Sequence, residues 1–292
     1  KENGIWMFGG LEEKVKFINQ EENISEETIS LLSMSAGFII ASDIPVLSNI
    51  KILTGNDLLG KKSIEYVASK NESINYIQKQ FKSISKKNLI HSEEYEKGYF
   101  YIQDFNSASL YKHLDLTDNC SLLDICSAPG SKLFNCLDII DEKRCYANDV
   151  HEHRVELIKK AASRLGYENI NYINYDGRDL NLKLHMHFDR ILLDAPCSGL
   201  GVIGRKPDLK FHIKPENLDE LQTLQYDLLN SAKHLLKKDG IMLYSTCTLN
   251  KKENNKMMIR FVSENKDFYI LEEDTIINGL GDCFYYCKLK RV

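Results

Sequence analysis

No stretch of the 292 residues is apolar enough for long enough to span a bilayer. The most apolar run, 31–47, is broken by Ser33, Ser35, Ser42 and Asp43, and nothing resembles a signal peptide or an anchor. Positive charge is not in excess either. The 38 Lys and Arg stand against 42 Asp and Glu, a net charge of -4, which excludes holding a polyanion over the whole surface and leaves only a local patch. The eight cysteines have neither the density of a disulfide framework nor a Cys-x-x-Cys spacing. They read as reduced thiols of a cytoplasmic protein. Cys283 and Cys287 share a predicted strand, and the pairs His151/His153 and His185/His187 lack a linked cysteine pair, so no metal site is expected. Internal repeats and low-complexity tracts are missing as well.

The 43% hydrophobic content is enough for a large α/β domain or two modest ones. Residues 1–97 are rich in Asn, Ser, Lys, Glu and Ile, with helix-like stretches at 25–32 and 73–81 and short strand-like runs at 50–53 and 63–67. They are expected to form a small α/β or helical module, and nothing in them names a chemistry. Lys1 stands where a chain start would have Met, which is expected for a trimmed or fragmentary chain with a segment before it.

After Tyr99 the pattern is regular. Apolar runs at 121–125, 144–148, 169–174, 190–194 and 240–245 alternate with helical patterns at 131–140, 151–165 and 217–237, the last stopping at Gly240. This predicts a mostly parallel, doubly wound sheet over 98–292. Runs at 268–272 and 283–289 are expected to close it as an antiparallel edge.

The first of these strands leads into Asp124-Ile125-Cys126-Ser127-Ala128-Pro129-Gly130-Ser131-Lys132. In open parallel sheets, ligands bind at this edge, and small residues let the backbone approach them. The turn is not Gly-x-Gly-x-x-Gly, which disfavours a dinucleotide. Asp149 ends the second strand at a spacing that suits ribose hydroxyls, although a lone Asp there also caps helices. Asp176 ends the third and is placed to meet an adenine amino edge, although alone it reads as a turn residue. Adenosine without a pyrophosphate fits both, and S-adenosylmethionine is such a ligand.

Two cysteines each follow a predicted strand: Cys197 in Asp194-Ala195-Pro196-Cys197-Ser198-Gly199 and Cys247 in Ser245-Thr246-Cys247-Thr248-Leu249. Paired thiols beside a nucleotide-type fold point to covalent chemistry on a pyrimidine. C5 of cytosine is too weak a nucleophile to take a methyl group until a thiolate has added at C6. Cys120, Cys136, Cys145, Cys283 and Cys287 read as buried structural thiols.

These residues, with 98–104, Arg154, Gly177, 189–201 and Glu253-Asn254, make the chain resemble the RNA cytosine-C5 methyltransferases of the RsmB/Fmu (Sun) and NSUN group over 98–292. The stretches 149–154 and 201–210 look closest to the bacterial RsmB branch. The resemblance implies a Rossmann-like class I methyltransferase domain, a seven-stranded mostly parallel sheet flanked by helices, using S-adenosylmethionine on 16S ribosomal RNA. It implies that Cys247 attacks C6, that Cys197 assists product release, and that Asp194 meets the pyrimidine N3 edge. The residues alone leave the two thiols interchangeable, since DNA cytosine methyltransferases use the Pro-Cys cysteine as nucleophile. Cofactor contacts are expected from Cys126, Ser127, Ala128, Pro129, Gly130, Ser131, Lys132, Asp149, Arg154, Asp176 and Asp194. RNA contacts are expected from Arg205, Lys206, Lys210 and Lys214, with Phe211 to stack, on single-stranded or loosely paired RNA.

Two positions depart from the family pattern. Ser131 stands where a second glycine is usual, which would tighten the methionine end of the cofactor pocket, and Gly204 stands where the RsmB branch has Arg, which would weaken an RNA contact. RsmB proteins also carry a NusB-like helical domain that about 100 residues do not accommodate beside a linker. A short form or a truncation is implied, and a monomer is expected. Competing expectations are a transfer-RNA methyltransferase, methylation of a small molecule or protein by the same fold, and a catalytically degenerate RNA-binding ribosome-assembly factor.

Overall fold

The computed structural model describes residues 39–41, 50–56, 62–68, 93–98, 100–204, 209, 215–277 and 281–292. The helix-like stretches at 25–32 and 73–81 lie outside these, as do Arg205, Lys206, Lys210, Phe211 and Lys214. The described residues fall into two compact units. One holds those up to Ser109 with Arg164–Gly166 and Gly281, and the other holds the remainder.

In the first unit, β1 (Ile39–Ala41) pairs antiparallel with a later strand, and β2 (Ile50–Asn56) pairs antiparallel with β3 (Lys62–Ala68). After a single helical turn, α1 (Glu93–Glu96), comes β4 (Phe100–Ile102), the partner of β1, and then α2 (Phe105–Ser109). Both strand-like runs expected in this region are strands.

The second unit is built on β5 (Leu122–Asp124), α3 (Ser131–Cys136), β6 (Cys145–Asp149), α4 (Glu152–Arg164), β7 (Asn171–Asn174) and α5 (Leu180–Lys183). These are followed by β8 (Phe188–Asp194), α6 (Pro215–Leu235), β9 (Leu236–Thr246), α7 (Asn255–Glu264), β10 (Phe268–Ile276) and β11 (Phe284–Arg291). Its seven-stranded sheet has the order β10-β11-β9-β8-β5-β6-β7. The run from β9 to β7 is parallel, and β11 and β10 add an antiparallel edge as expected.

Burial on both faces explains why the central strands read as continuous apolar runs. Leu123, Ile125, Ile191, Leu193, Met242 and Tyr244 pack in one cluster with Leu228, Leu229 and Ala232 of α6 and Met257, Met258 and Phe261 of α7. The alternate residues Leu122, Leu192 and Leu243 point to the opposite face and are equally buried. Among the helices, α4 shows the expected amphipathic spacing, with Val155, Ile158 and Ala162 turned inward.

Two boundaries differ from the sequence pattern. The helix expected over 131–140 stops at Cys136, where the Leu137 N–H bonds back to the Phe134 carbonyl and the chain continues in turns to Ile140. The helix expected to run to 237 ends at Leu235, and β9 starts at Leu236, which pairs with Phe188. Gly240 serves a close approach rather than a helix stop, because a Cβ there would lie 2.8 Å from the Lys237 carbonyl oxygen.

Phe261 is fully buried and meets Phe268 edge to face, with ring centroids 5.2 Å apart. Phe261→Ala is expected to destabilise the domain by about 3–5 kcal/mol, the usual cost of emptying a well-packed aromatic site. Urea unfolding will report it as a lower midpoint with an unchanged slope.

Candidate active site

Parallel pairing places the chemistry. Strands β5, β8 and β9 lie side by side and run the same way, so the segments after them, 125–132, 195–201 and 247–254, leave from one edge of the sheet. Asp194 is in register with Ser245, which puts Cys197 and Cys247 two or three residues past a matched pair. Fifty residues apart in sequence, their sulfurs are 3.3 Å apart.

The two thiols are unlike. Cys247 is held below the ordinary thiol range, first by a hydrogen bond from Cys197 and then by the Lys132 ammonium, against the opposing effects of burial and of Asp194. Cys197 is pushed well above that range, by the same hydrogen bond and by burial. Either sulfur can donate in this contact, and the surrounding groups favour the arrangement in which Cys197 donates to Cys247. The two thiols that the sequence left interchangeable therefore have unequal surroundings, with the Lys132 ammonium favouring charge on Cys247.

Asp194 is fixed from two sides. Its Oδ2 accepts from Lys132 Nζ at 2.7 Å and its Oδ1 accepts from Ser245 Oγ at 2.7 Å. Burial works against the charge on Lys132, but Asp194 outweighs it and the lysine pKa is raised. Lys132, expected among the cofactor contacts, is thus directed to the thiol side, where its charge acts on both Asp194 and Cys247.

On the far side of the β5 turn is a cavity of about 300 Å3. Ile125, Leu224 and Leu228 give it apolar walls, while Cys126, Asp149 and Asp176 give it polar ones. Asp149 is buried, with Oδ1 accepting from the His151 N–H at 3.1 Å and Oδ2 3.4 Å from Arg154. It accepts from the backbone at the start of α4 and also lines the cavity. Arg154 also donates to the Ala128 carbonyl oxygen, tying the turn to α4. Asp176 accepts from the Arg178 backbone N–H and guanidinium, which holds its carboxyl below the usual range, and it too lines the cavity. Burial keeps Cys126 a protonated thiol.

The turn itself depends on Gly130. At φ +102° it takes a conformation other residues avoid, and a Cβ would lie 2.6 Å from the Phe134 ring. Ser127 donates its backbone N–H to the Asn148 carbonyl oxygen, and the Asn148 amide bridges Ile125 O and Tyr175 O, so three strand ends are tied at the cavity mouth. Asp124 Oδ1 and Ser127 Oγ are buried with no partner in full hydrogen-bond geometry among the described residues, although the Ser127 hydroxyl beside the Asp124 carboxyl favours its charged form. Burial, with Asp194 and Asp149 nearby, pushes Asp124 up to about 7. Asp124 escaped the sequence reading as a site residue because it ends a strand as any framework residue would.

Residues behind the thiols were missed more completely. Glu253, noted only as part of a motif, is fully buried and accepts three hydrogen bonds from the two cysteine segments and a fourth from Gln225 of α6. No spacing rule ties a helix glutamine to a strand-end cysteine.

Replacing Lys132 removes the cation beside Cys247 and leaves Asp194 unneutralised, and both changes disfavour the thiolate. Lys132→Met is expected to slow iodoacetamide alkylation of Cys247 several-fold at neutral pH, measured by peptide mass spectrometry, with the fold unchanged by circular dichroism.

Residues 111–280 match the family described as 16S rRNA methyltransferase RsmB/F. The chain is 39% identical over 176 residues to the probable ribosomal RNA small subunit methyltransferase B of Bacillus subtilis, covering 60% of this chain and 39% of that protein. It is 40% identical over 169 residues to the ribosomal RNA small subunit methyltransferase F of Pectobacterium carotovorum, covering 56% and 34%. The chain thus spans well under half the length of these relatives. A crystal structure of a methyltransferase homolog protein from Pyrococcus horikoshii superposes with a TM-score of 0.58 at 26% identity, over 70% of this chain and 72% of that one. With a family match over more than half of its residues, on a sheet of the same fold, the chain belongs to the 16S rRNA methyltransferase RsmB/F family.

Proposed function

We propose that the chain carries an S-adenosylmethionine-dependent RNA cytosine-C5 methyltransferase acting on 16S ribosomal RNA. The reading rests above all on the thiol pair, with Cys247 favoured as thiolate and Cys197 as its proton-bearing neighbour 3.3 Å away. A methyltransferase acting on an oxygen, or on a nitrogen with a lone pair, needs no such pair, whereas C5 of cytosine requires a nucleophile at C6.

The residues fit the cofactor. Asp149 and Asp176 offer carboxylates at adjacent strand ends for ribose hydroxyls and an amino edge, and Ile125, Leu224 and Leu228 offer surface to a flat ring. The buried Asp124 carboxyl and Ser127 hydroxyl give the turn oxygens that could accept from an ammonium group. When bound, S-adenosylmethionine supplies the methyl group for C5.

The protein's own part follows from its charges. Cys247 adds to C6, and negative charge spreads onto the ring toward N3. Asp194 faces this edge with Lys132 behind it, and the pair meets that charge with a proton and a fixed dipole. After C5 is methylated its proton passes to a water molecule, the C5–H electron pair restores the C5=C6 bond, and the Cys247–C6 bond breaks with its pair leaving on sulfur. Cys197 adjoins the departing sulfur and stabilises it as thiolate by donating its S–H.

Tritium transfer from labelled S-adenosylmethionine to small-subunit RNA tests the reading. Wild type should label C5 of cytosine, Cys247→Ala should be inactive, and Cys197→Ala should accumulate a covalent protein–RNA adduct. Full transfer by Cys247→Ala would sink the nucleophile assignment. Labelling of transfer RNA or of a protein in place of 16S RNA would move the substrate, and RNA binding without any transfer would leave a binding factor.

The rate should also depend on pH with a definite sign. Protonating Cys247 removes the nucleophile, so single-turnover methylation rises with pH through its lowered pKa and stays level while Cys197 keeps its proton. In Cys197→Ala, adduct formation should need higher pH, because the hydrogen bond favouring the thiolate is gone.

A further inference from the structure

The separation of the two sulfurs is not fixed by the strands alone, since both cysteines lie beyond the last ladder pair, in loops. Between these loops sits one buried carboxylate. Glu253 Oε2 accepts from the Ser198 backbone N–H and from Gln225 Nε2, each at 2.9 Å. Its Oε1 accepts from Ser198 Oγ at 2.6 Å and from Asn250 Nδ2 at 2.9 Å. Four groups thus converge on its two oxygens, each of which has two lone pairs to offer.

The proton order around it is also determined. Ser198 spends its hydroxyl proton on Glu253, so in the 2.7 Å contact between the Ser198 and Thr248 hydroxyls it is Thr248 that donates. Ser198 adjoins Cys197, and Thr248 adjoins Cys247. Gln225 donates a second hydrogen bond, to the Pro196 carbonyl oxygen at 2.8 Å, so α6 grips the residue on the other side of Cys197. The backbones also touch directly: the Gly201 N–H bonds to the Cys247 carbonyl oxygen, and a Cβ on Gly201 would lie 2.8 Å from that oxygen.

We infer that Glu253 is a positioning residue that sets the Cys197–Cys247 contact, by binding Ser198 from one loop and Asn250 from the other, with Gln225 bracing Cys197 from behind. Its carboxylate reaches neither the cavity nor the thiols. Its effect passes through Cys197, which donates to Cys247 only while its loop is held.

The consequence for catalysis rests on the function proposed above, but the contact can be tested without RNA or cofactor. Glu253→Gln turns one acceptor oxygen into a donor facing other donors and loosens the Cys197 loop. The sign of the result is diagnostic. Deleting a negative charge near a thiol would by itself lower the thiol's pKa and speed its alkylation, whereas loss of the Cys197 hydrogen bond raises the pKa and slows it.

The experiment is the pH profile of iodoacetamide alkylation at Cys247, read by peptide mass spectrometry, for wild type, Glu253→Gln, Ser198→Ala and Cys197→Ala. The expected result is a profile displaced to higher pH in all three variants, with alkylation at pH 7 slowed at least about threefold, matching the direction of Cys197→Ala. Ser198→Ala is isosteric apart from the hydroxyl and is read by the same criterion if Glu253→Gln does not fold. An unchanged or downward-shifted profile in a folded variant overturns the inference. A shifted profile in a protein that transfers no methyl group to cytosine would leave the positioning role standing while the proposed reaction fell.

Discussion

The site depends on the parallel pairing of β8 with β9. Asp194 opposite Ser245 is the last matched pair of that ladder, and both chains leave the sheet in the same direction just beyond it. Antiparallel neighbours would send the two cysteine segments to opposite ends of the sheet. Parallel pairing requires a crossover, supplied here by α6, and the crossover covers the sheet face on which Ile191, Leu193, Met242 and Tyr244 are buried. The hydrophobic burial that holds the sheet together is therefore also what brings residues 197 and 247 into contact.

Around the sulfurs, opposing electrostatic effects are kept in balance. Asp194 and burial disfavour a thiolate, while Lys132 and the Cys197 hydrogen bond favour it. Lys132 does two jobs with one charge: it neutralises Asp194 at 2.7 Å and it stabilises Cys247. This coupling explains how the Asp194 carboxylate can stand beside a thiol whose charged form it would otherwise disfavour. The cavity side has its own order, with Asp149 and Asp176 each fixed by backbone N–H groups and an arginine, so that their carboxylates are oriented in advance.

Much of this was legible in the sequence because it is local. Apolar runs of five to seven residues located every strand of the central sheet, and the turn from Cys126 to Lys132 was readable because close backbone approach demands small residues. Asp149 and Asp176 fall at strand ends, where ligands of such sheets are met. Lys132 was identified, but its direction was not, because whether a lysine on a short helix points to a cavity or to a neighbouring strand depends on how that helix packs. The end of α3 at Cys136 and the start of β9 at Leu236 were also misplaced, since apolar residues continue past both points and only hydrogen bonding marks the change.

The sequence by itself determined the doubly wound sheet, the cofactor-type turn and the identity of the two thiols, since each is written in periodicity or in a short contiguous motif. Tertiary structure alone decided which thiol is the better thiolate, because that depends on a hydrogen bond and an ammonium group contributed by segments 50 and 115 residues away from Cys247. It alone also revealed the carboxylate of Glu253 between the loops. Buried hydrogen bonds are satisfied by whichever groups the fold brings within about 3 Å, and distance along the chain carries no record of that.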